Sequence, residues 1–193
     1  MRWENSMSDY RVITNIEPHS SISEQYRKLR TAIDYSTFNK ELKIIGLTSA
    51  SPGEGKTVTC INLATVYAQT KQKTLLIDMD LRRPKIHRAF SLSNKGGISD
   101  FITNEHPIDK NIDKINDYLD VLVSGSKVPF PAEVLVSGRI KEMMTYLRTK
   151  YDKIIIDCPP LTAVTDSTII SSFCDGTMFI VASRKTNSVI IRC

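Results

Sequence analysis

The residues best suited to chemistry lie in residues 50–57, whose sequence is Ala-Ser-Pro-Gly-Glu-Gly-Lys-Thr. This segment matches the phosphate-loop template Gly-x-x-x-x-Gly-Lys-[Ser/Thr], except that alanine occupies the first position. Gly53 and Gly55 allow backbone N–H groups to turn towards a polyphosphate, and Lys56 adds a positive charge for its β- and γ-phosphates. The Thr57 hydroxyl is a suitable Mg²⁺ ligand. The segment therefore predicts a nucleotide-binding loop, and the alternative is a glycine-containing surface turn.

Three aspartates follow apolar runs of the kind that form buried strands. Asp78 and Asp80 end the run that begins at residue 73, and Asp157 closes the run 151–157. Open α/β sheets place their chemistry at the carboxyl ends of the strands. Side chains alternate along a strand, so Asp78 and Asp80 are predicted to lie on the same side. We expect the three carboxylates to converge on the loop lysine; the alternative is that the first two only cap the following turn.

The segments around these residues predict alternating strands and helices. Apolar runs typical of buried parallel strands span residues 43–49, 73–78, 119–123, 151–157 and 177–182. Helices are predicted over residues 21–39, 58–69, 132–150 and 166–173, with shorter ones at 86–90 and from 99 onwards. This order predicts an α/β fold with a doubly wound, mainly parallel sheet and helices on both faces.

Length and composition indicate one globular domain. The chain has 193 residues, of which 41% are hydrophobic and 24% charged. Residues 1–19 show little pattern and are predicted to form an extended N-terminal arm, which leaves residues 20–193 as the folded domain. The net charge of +5 is mild and spread out, and we predict no nucleic-acid partner. No run of eighteen apolar residues exists, so no membrane span is expected. Cys60 is predicted to be a buried, inert thiol.

The predicted helix over residues 21–39 carries a charged stripe beside an apolar face. The apolar face is predicted to consist of Ile22, Tyr26, Leu29 and Ile33. The stripe consists of Glu24, Arg27 and Arg30, at positions i, i+3 and i+6. Spacing alone favours a solvated helix face, where a Glu–Arg pair contributes roughly 0.2–0.5 kcal/mol. The alternative is a subunit contact, because arginine pairs well with carboxylates across an interface.

Three segments together resemble a known family: residues 50–57, 75–84 and 154–160. They are similar to the MinD-related deviant P-loop ATPases. Within that group the chain resembles the bacterial tyrosine kinases (BY-kinases) of capsule and exopolysaccharide synthesis, of the CpsD/CapB type. The loops of MinD and ParA carry a signature lysine just after the first small residue, where this chain has Ser51. The resemblance spans about residues 20–183 and implies a MinD-like P-loop NTPase fold.

The resemblance also implies an activity, that of an ATP-dependent protein-tyrosine kinase with ATP and Mg²⁺ as cofactors. Lys56 would bind the β- and γ-phosphates, and Thr57, Asp80 and Asp157 would hold Mg²⁺. Asp78 would accept the proton of an attacking tyrosine hydroxyl. The implied nucleotide-binding residues are Ser51, Pro52, Gly53, Glu54, Gly55, Lys56, Thr57 and Val58.

Partners are likewise implied by the resemblance. The oligomerisation helix of the family, Glu-x-x-Arg-x-x-Arg, matches Glu24, Arg27 and Arg30, which favours a subunit contact in a ring over a solvated face. The family acts on tyrosine-containing protein substrates and is activated by a membrane adaptor of the polysaccharide co-polymerase type. The expected location is therefore cytoplasmic, at the inner face of the membrane through that adaptor.

The chain departs from the family near its C-terminal end. Members end in a tyrosine cluster that subunits phosphorylate on one another, after a further helix and strands. Here none of the seven tyrosines lies in the last forty residues. We therefore expect a C-terminally truncated member that lacks these elements. Two alternatives stay open: a MinD/ParA-like nucleotide switch without kinase activity, against which Ser51 argues, and an inactive remnant.

Overall fold

Strands and helices alternate along the chain in the computed structural model, which describes residues 10–36, 41–103, 107–161 and 165–183. The first half contains α1 (Ile13–Ile16), α2 (Ser21–Tyr35), β1 (Ile44–Ser49), α3 (Lys56–Ala68), β2 (Thr74–Asp78), α4 (Ile86–Ala89) and α5 (Ile98–Thr103). The second half contains a 3₁₀ helix (Ile108–Asn111), β3 (Asp113–Lys114), β4 (Leu119–Leu122), α6 (Pro131–Leu135), α7 (Gly138–Lys150), β5 (Lys153–Asp157), α8 (Asp166–Ser171) and β6 (Gly176–Ile180).

The strands form one sheet in the order β3-β4-β2-β5-β1-β6. Every neighbouring pair is parallel except β3 with β4, and the two-residue strand β3 was not predicted from the sequence. Strand β5 lies between β1 and β2, and its Asp157 is level with Leu47 on one side and Asp78 on the other. The register therefore brings two of the predicted carboxylates side by side at the carboxyl ends of adjacent strands. The prediction of a mainly parallel α/β sheet is confirmed.

Helices cover both faces of this sheet because successive strand residues point to opposite sides. Ile45 and Leu47 of β1 belong to a buried cluster that includes Ile33 of α2 and the apolar residues of α3. Ile44 belongs to a second cluster, which includes residues of α5, α7 and α8. Both faces of the central strands are thus buried, which explains why they read as continuous apolar runs. The predicted helices on both faces are confirmed.

Part of the predicted N-terminal arm is not extended, since residues 13–16 form helix α1. Thr14 is fully buried, and its backbone N and its Oγ1 each donate to Oδ1 of Asn62 on α3 at 3.1 Å. The Asn62 amide donates in turn to the carbonyl oxygen of Arg11 at 3.1 Å. Asn62 thereby supplies partners for backbone groups that would otherwise be buried without one. A segment this short has no periodicity to predict it.

Helix α2 begins at Ser21, as predicted, but it buries a different residue in its first turn. Its N-cap is Ser20, whose Oγ accepts from the Ser23 backbone N at 3.2 Å. Ser23 is buried and donates to the carbonyl oxygen of Glu17 at 2.6 Å. Ile22 is 54% exposed, so its assignment to the apolar face was wrong. The rest of that face packs on the core, and the predicted end of the helix at residue 39 lies outside the described residues.

The single helix predicted over residues 132–150 is two helices, α6 and α7. Ser137 separates them with an extended backbone, at ψ 143°, and Val136 before it is 65% exposed. Apolar spacing continues across this break, which is why the sequence predicted one helix.

Cys60 is buried, as predicted, and burial raises the pKa of its thiol. Within the described ranges, no helix has the length and apolar character needed to cross a bilayer.

Candidate functional site

A cavity of about 380 Å³ opens at the carboxyl ends of the central strands, beside the loop between β1 and α3. Gly53 and Gly55 take φ values of +83° and +91°, a backbone region that side-chain-bearing residues rarely adopt. The N-terminal residues of α3 line the cavity, so the positive end of the helix dipole lies beside it. Six of the eight predicted nucleotide-binding residues line it: Pro52, Gly53, Gly55, Lys56, Thr57 and Val58.

The other two predicted loop residues bind each other instead. The backbone N of Ser51 donates to Oε2 of Glu54 at 3.1 Å, which closes the loop on itself. The Ser51 carbonyl oxygen also accepts from the Ser49 hydroxyl at 3.0 Å. These bonds connect residues within the loop, and Ser51 and Glu54 are not among the residues that line the cavity.

Lys56 is buried and paired with Asp157. Its Nζ lies 2.5 Å from Oδ1 of Asp157 and 4.0 Å from Oδ2 of Asp80. Thr57 Oγ1 donates to the other oxygen of Asp157 at 2.7 Å. Burial lowers the pKa of Lys56, but the Asp157 charge, Cys60 and Asp80 together raise it above its ordinary value. Burial raises the pKa of Asp157, and Lys56 and Thr57 oppose that shift. Donors contact both oxygens of Asp157, which favours its ionised form beside the Lys56 ammonium.

Asp78 and Asp80 differ in where their carboxylates lie. Asp80 lines the cavity, and its Oδ1 also accepts from the backbone N of Arg83 at 3.0 Å. Asp78 is fully buried; its oxygens accept backbone N–H bonds from Asp80, Lys85 and Ile86 at 3.2, 2.9 and 3.0 Å. Burial and the neighbouring Asp157 charge raise the pKa of Asp78 to about 7. Both carboxylates therefore hold the following turn, as the alternative interpretation had it, and only Asp80 also reaches the cavity wall.

The donors at the cavity suit Mg²⁺ bound together with a polyphosphate. In the described part of the chain, no group of three or more His, Cys, Asp or Glu side chains could hold a metal ion by itself. Mg²⁺ does not require such a cage, because it keeps several waters and takes one or two carboxylates plus phosphate oxygens. The Thr57 hydroxyl and the Asp80 carboxylate line the cavity, and Asp157 contacts Thr57 directly. These hard oxygen donors fit that mode of binding.

Seven residues of the cavity wall were not predicted as site residues: Tyr10, Ser49, Arg82, Arg83, Lys85, Pro159 and Pro160. Arg82 is anchored by a two-pronged contact with the buried Asp166, through Nε at 2.8 Å and a terminal nitrogen at 3.2 Å. The Lys85 ammonium lies 5.7 Å from the centre of the Tyr10 ring. The sequence signal for the basic residues was their position directly after the second acidic motif. Tyr10 gave no signal, because it lies in a segment without pattern.

The charged stripe of α2 lies apart from the cavity and is largely solvated. Arg27 contacts Oε2 of Glu24 at 3.1 Å, and the side chains are 32% and 54% exposed. Arg27 also donates to the Pro18 carbonyl oxygen at 2.6 Å, and Arg30 to the Val66 carbonyl oxygen at 3.3 Å. The three residues are thus held on one helix face by contacts within the chain.

Comparison with known proteins shows that most of this chain is similar to proteins named tyrosine kinases. The family model described as an AAA domain matches residues 42–183. The chain is 42% identical to tyrosine-protein kinase YwqD of Bacillus subtilis, over 91% of this chain and 74% of that protein. The solved kinase domain of Escherichia coli tyrosine kinase ETK superposes with a TM-score of 0.89 at 30% identity, covering 94% of this chain and 71% of that chain.

Two further comparisons show how much of each related protein this chain covers. The chain is 35% identical to the curated tyrosine-protein kinase Etk of Escherichia coli over 89% of its own length, but it spans only 24% of that protein. The cell division ATPase MinD of Pyrococcus furiosus superposes with a TM-score of 0.62 at 22% identity, covering 72% of this chain and 59% of that chain. The MinD likeness concerns the fold.

Proposed function

This chain belongs to the bacterial tyrosine-protein kinase family, and on that premise we propose that it transfers the γ-phosphoryl group of ATP to a tyrosine hydroxyl. The observation that carries the proposal is that Lys56, Thr57 and Asp80 line the cavity formed by the loop 50–57. A buried cation, a hydroxyl and a carboxylate are thereby gathered where the loop and the helix dipole attract phosphates. Phosphoryl transfer requires mainly positioning and charge stabilisation, which this set of groups supplies.

Lys56 is the residue that we propose to bind the β- and γ-phosphates. Its side chain is 8% exposed, so its charge acts in a medium less polar than water and interacts more strongly with phosphate oxygens. Asp157 orients the ammonium at 2.5 Å and is itself oriented by Thr57. The loop backbone around Gly53 and Gly55 would provide N–H donors to the same phosphates.

Mg²⁺ is the metal ion that we propose for this site, held by Thr57, Asp80 and Asp157 together with phosphate oxygens and waters. When bound, the ion neutralises charge that develops on the transferring phosphoryl group. Asp80 lines the cavity and is supported by the Arg83 backbone N, so it would meet the ion directly. Asp157 is engaged by Lys56 and Thr57, which favours contact through water.

Asp78 is proposed as the acceptor of the tyrosine proton. A base works best when its pKa lies near the working pH, and the pKa of Asp78 is raised to about 7. Its carboxylate is turned towards the backbone of the following turn, so we assign the transfer to one intervening water. Asp80 is the neighbour that links the two, because its backbone N donates to Asp78 at 3.2 Å and it lines the cavity.

The biological setting is proposed from the family. We assign the chain to the control of capsular or exopolysaccharide synthesis and chain length, with tyrosine-containing proteins as substrates. A membrane adaptor of the polysaccharide co-polymerase type would activate it and hold it at the inner face of the membrane. The stripe of Glu24, Arg27 and Arg30 would join subunits into a ring. This role is supported by contacts within the chain that already hold the charged side chains of the stripe on one helix face.

The test is incubation of the purified chain with labelled ATP, Mg²⁺ and a tyrosine-containing polymer. We expect labelled phosphotyrosine from the natural sequence and none from Lys56→Met, because the buried phosphate-binding charge is lost. Thermal unfolding would establish that the variant is folded. The matched control is Lys141→Met, which removes an exposed lysine of α7 away from the cavity and should leave the rate unchanged.

Each outcome of this assay separates the competing functions. Phosphotyrosine that depends on Lys56 supports the kinase. Release of free phosphate without phosphotyrosine would instead favour a MinD/ParA-like nucleotide switch. If neither product forms, both the kinase and the nucleotide switch are contradicted, and the interpretation as an inactive remnant remains. Phosphotyrosine formed equally by Lys56→Met would refute the role proposed for Lys56.

A further inference from the structure

Tyr10 occupies a position that the activity proposed above does not account for. All seven tyrosines lie in the described part of the chain, and Tyr10 alone among them lines the cavity. It shares that cavity with Lys56, Thr57 and Asp80, the groups proposed to hold the triphosphate and its metal ion. A phenol therefore lines the same cavity as the groups proposed to hold the phosphoryl donor.

The chain next to Tyr10 is firmly attached to the domain. Val12 is only 3% exposed, and Thr14 is fully buried. Asn62 of α3 holds this segment from both sides, by accepting from Thr14 and donating to the Arg11 carbonyl oxygen, each at 3.1 Å. Only Arg11 separates Tyr10 from Val12, so the Cα atoms of Tyr10 and Val12 lie within about 7 Å of each other. The ring is thus kept at the cavity by contacts that its own chain makes with α3.

The surroundings of Tyr10 favour a phosphorylated side chain. The Lys85 ammonium lies 5.7 Å from the ring centre, and Arg83 lines the same cavity. A phosphate on a tyrosine adds close to two negative charges, and it is stabilised by nearby lysine and arginine donors. Lys85 and Arg83 would therefore stabilise the phosphate on Tyr10 after transfer.

None of the other six tyrosines, all of which are described, lines the cavity. The hydroxyls of Tyr67, Tyr146 and Tyr151 donate to Asp34, Asp109 and Asp120 at 2.9, 2.5 and 2.7 Å. Tyr35 is the most exposed of those described, at 79%, but it lies on α2 and does not line the cavity. Tyr35 is the residue that simple accessibility would select, and Tyr10 the residue that placement at the cavity would select.

We propose that Tyr10 is a phosphoacceptor of this chain and is modified by the cavity of its own molecule; this inference rests on the kinase activity proposed above. The Tyr10 Oη forms a bond to the γ-phosphorus of ATP, and the bond from that phosphorus to the β,γ-bridging oxygen breaks. ADP leaves with the electron pair of the broken bond. The phenolic proton passes to Asp78, the acceptor proposed for any tyrosine substrate. Attachment to the arm raises the effective concentration of the acceptor far above that of a free peptide.

The experiment is tandem mass spectrometry of the purified chain after incubation with ATP and Mg²⁺. Trypsin releases residues 3–11, a peptide whose only tyrosine is Tyr10. We expect this peptide to gain one phosphate at a first-order rate that does not change with protein concentration. Tyr10→Phe, which keeps the ring beside Lys85, should lose this self-phosphorylation. Tyr35→Phe, the matched control outside the cavity, should keep it unchanged.

The outcomes distinguish this inference from the proposed function. If the natural chain labels the tyrosine polymer but not residues 3–11, the kinase stands and the inference about Tyr10 falls. If it labels neither, the proposed function itself fails. A tagged Lys56→Met chain mixed with the natural chain should stay unlabelled on Tyr10, because the reaction is intramolecular. Labelling of that inactive chain, or of Tyr35 in place of Tyr10, would overturn the inference.

Discussion

Two charged clusters of this molecule contain the same kinds of residue in opposite surroundings. At the cavity, Lys56 and Asp157 lie 2.5 Å apart, with side chains 8% and 1% exposed. On α2, Arg27 and Glu24 lie 3.1 Å apart, with side chains 32% and 54% exposed. The cavity pair joins residues 101 positions apart in sequence, whereas the helix pair joins residues one turn apart.

The difference teaches that burial, more than contact distance, decides what an ion pair does. Removing one member of a buried pair leaves a charge in a medium that solvates it poorly. Water solvates each member of an exposed pair almost as well as its partner does, so the contact contributes little to folding. We therefore expect the cavity pair to contribute to the stability of the fold, whereas the exposed helix pair should contribute little.

The largest expected effect is that of Asp157→Ala. It leaves the Lys56 ammonium buried without its partner at 2.5 Å and removes the acceptor of Thr57. We expect the free energy of unfolding to fall by about 3–5 kcal/mol, as is typical when one partner of a buried pair is removed. Urea unfolding followed by circular dichroism measures this change.

The control for Asp157→Ala is a double-mutant cycle with Lys56→Met. If the two groups stabilise each other, the double variant should be more stable than the sum of the single losses predicts. Strictly additive losses would contradict the coupling between Lys56 and Asp157 on which the comparison depends.

An intermediate effect is expected for Arg82→Ala. Asp166 is 2% exposed in its side chain and would lose a two-pronged partner, but the Arg82 side chain is 42% exposed. Solvent near the arginine can partly replace it, so we expect a loss of about 1–2 kcal/mol in the free energy of unfolding. The matched control is Arg83→Ala, at an adjacent exposed arginine, which should change stability by less than about 0.5 kcal/mol. Equal losses in the two variants would show that the Asp166 contact does not carry the effect.

The smallest effect on stability is expected for Arg27→Ala. In dilute solution the free energy of unfolding should change by less than about 0.5 kcal/mol, because the contact with Glu24 is solvated. At high protein concentration, sedimentation should show weaker self-association than for the natural chain, since the proposed ring contact is lost. Lys28→Ala, on the same helix but off the stripe, is the control and should alter neither quantity. If Arg27→Ala lowered the free energy of unfolding as much as Asp157→Ala does, the proposed difference between the buried and the exposed ion pair would be contradicted.

Local sequence pattern predicted much of the fold because local physics produces it. Continuous apolar runs predicted the central strands, which are buried on both faces. The loop 50–57 was predicted with its flanking strand and helix because glycine spacing and helix start are both local features. The errors fall where a distant contact decides the outcome. Ile22 is exposed, whereas Ser23 next to it is buried and donates to the Glu17 carbonyl oxygen. Part of the predicted arm is helix α1, whose Thr14 is hydrogen-bonded to Asn62 of α3.

The site shows the same division. The sequence alone determined which groups could serve phosphate chemistry, since the loop lysine and the strand-end aspartates are read from spacing and from the runs before them. Only the tertiary structure decided what each carboxylate contacts. Asp78 accepts backbone N–H bonds, Asp80 lines the cavity, and Asp157 pairs with Lys56. Parallel strands bring residues far apart in sequence to one edge of the sheet, and no local pattern records which of them will meet. Tyr10 is the clearest case, because only the packing of its arm on α3 places it at the cavity.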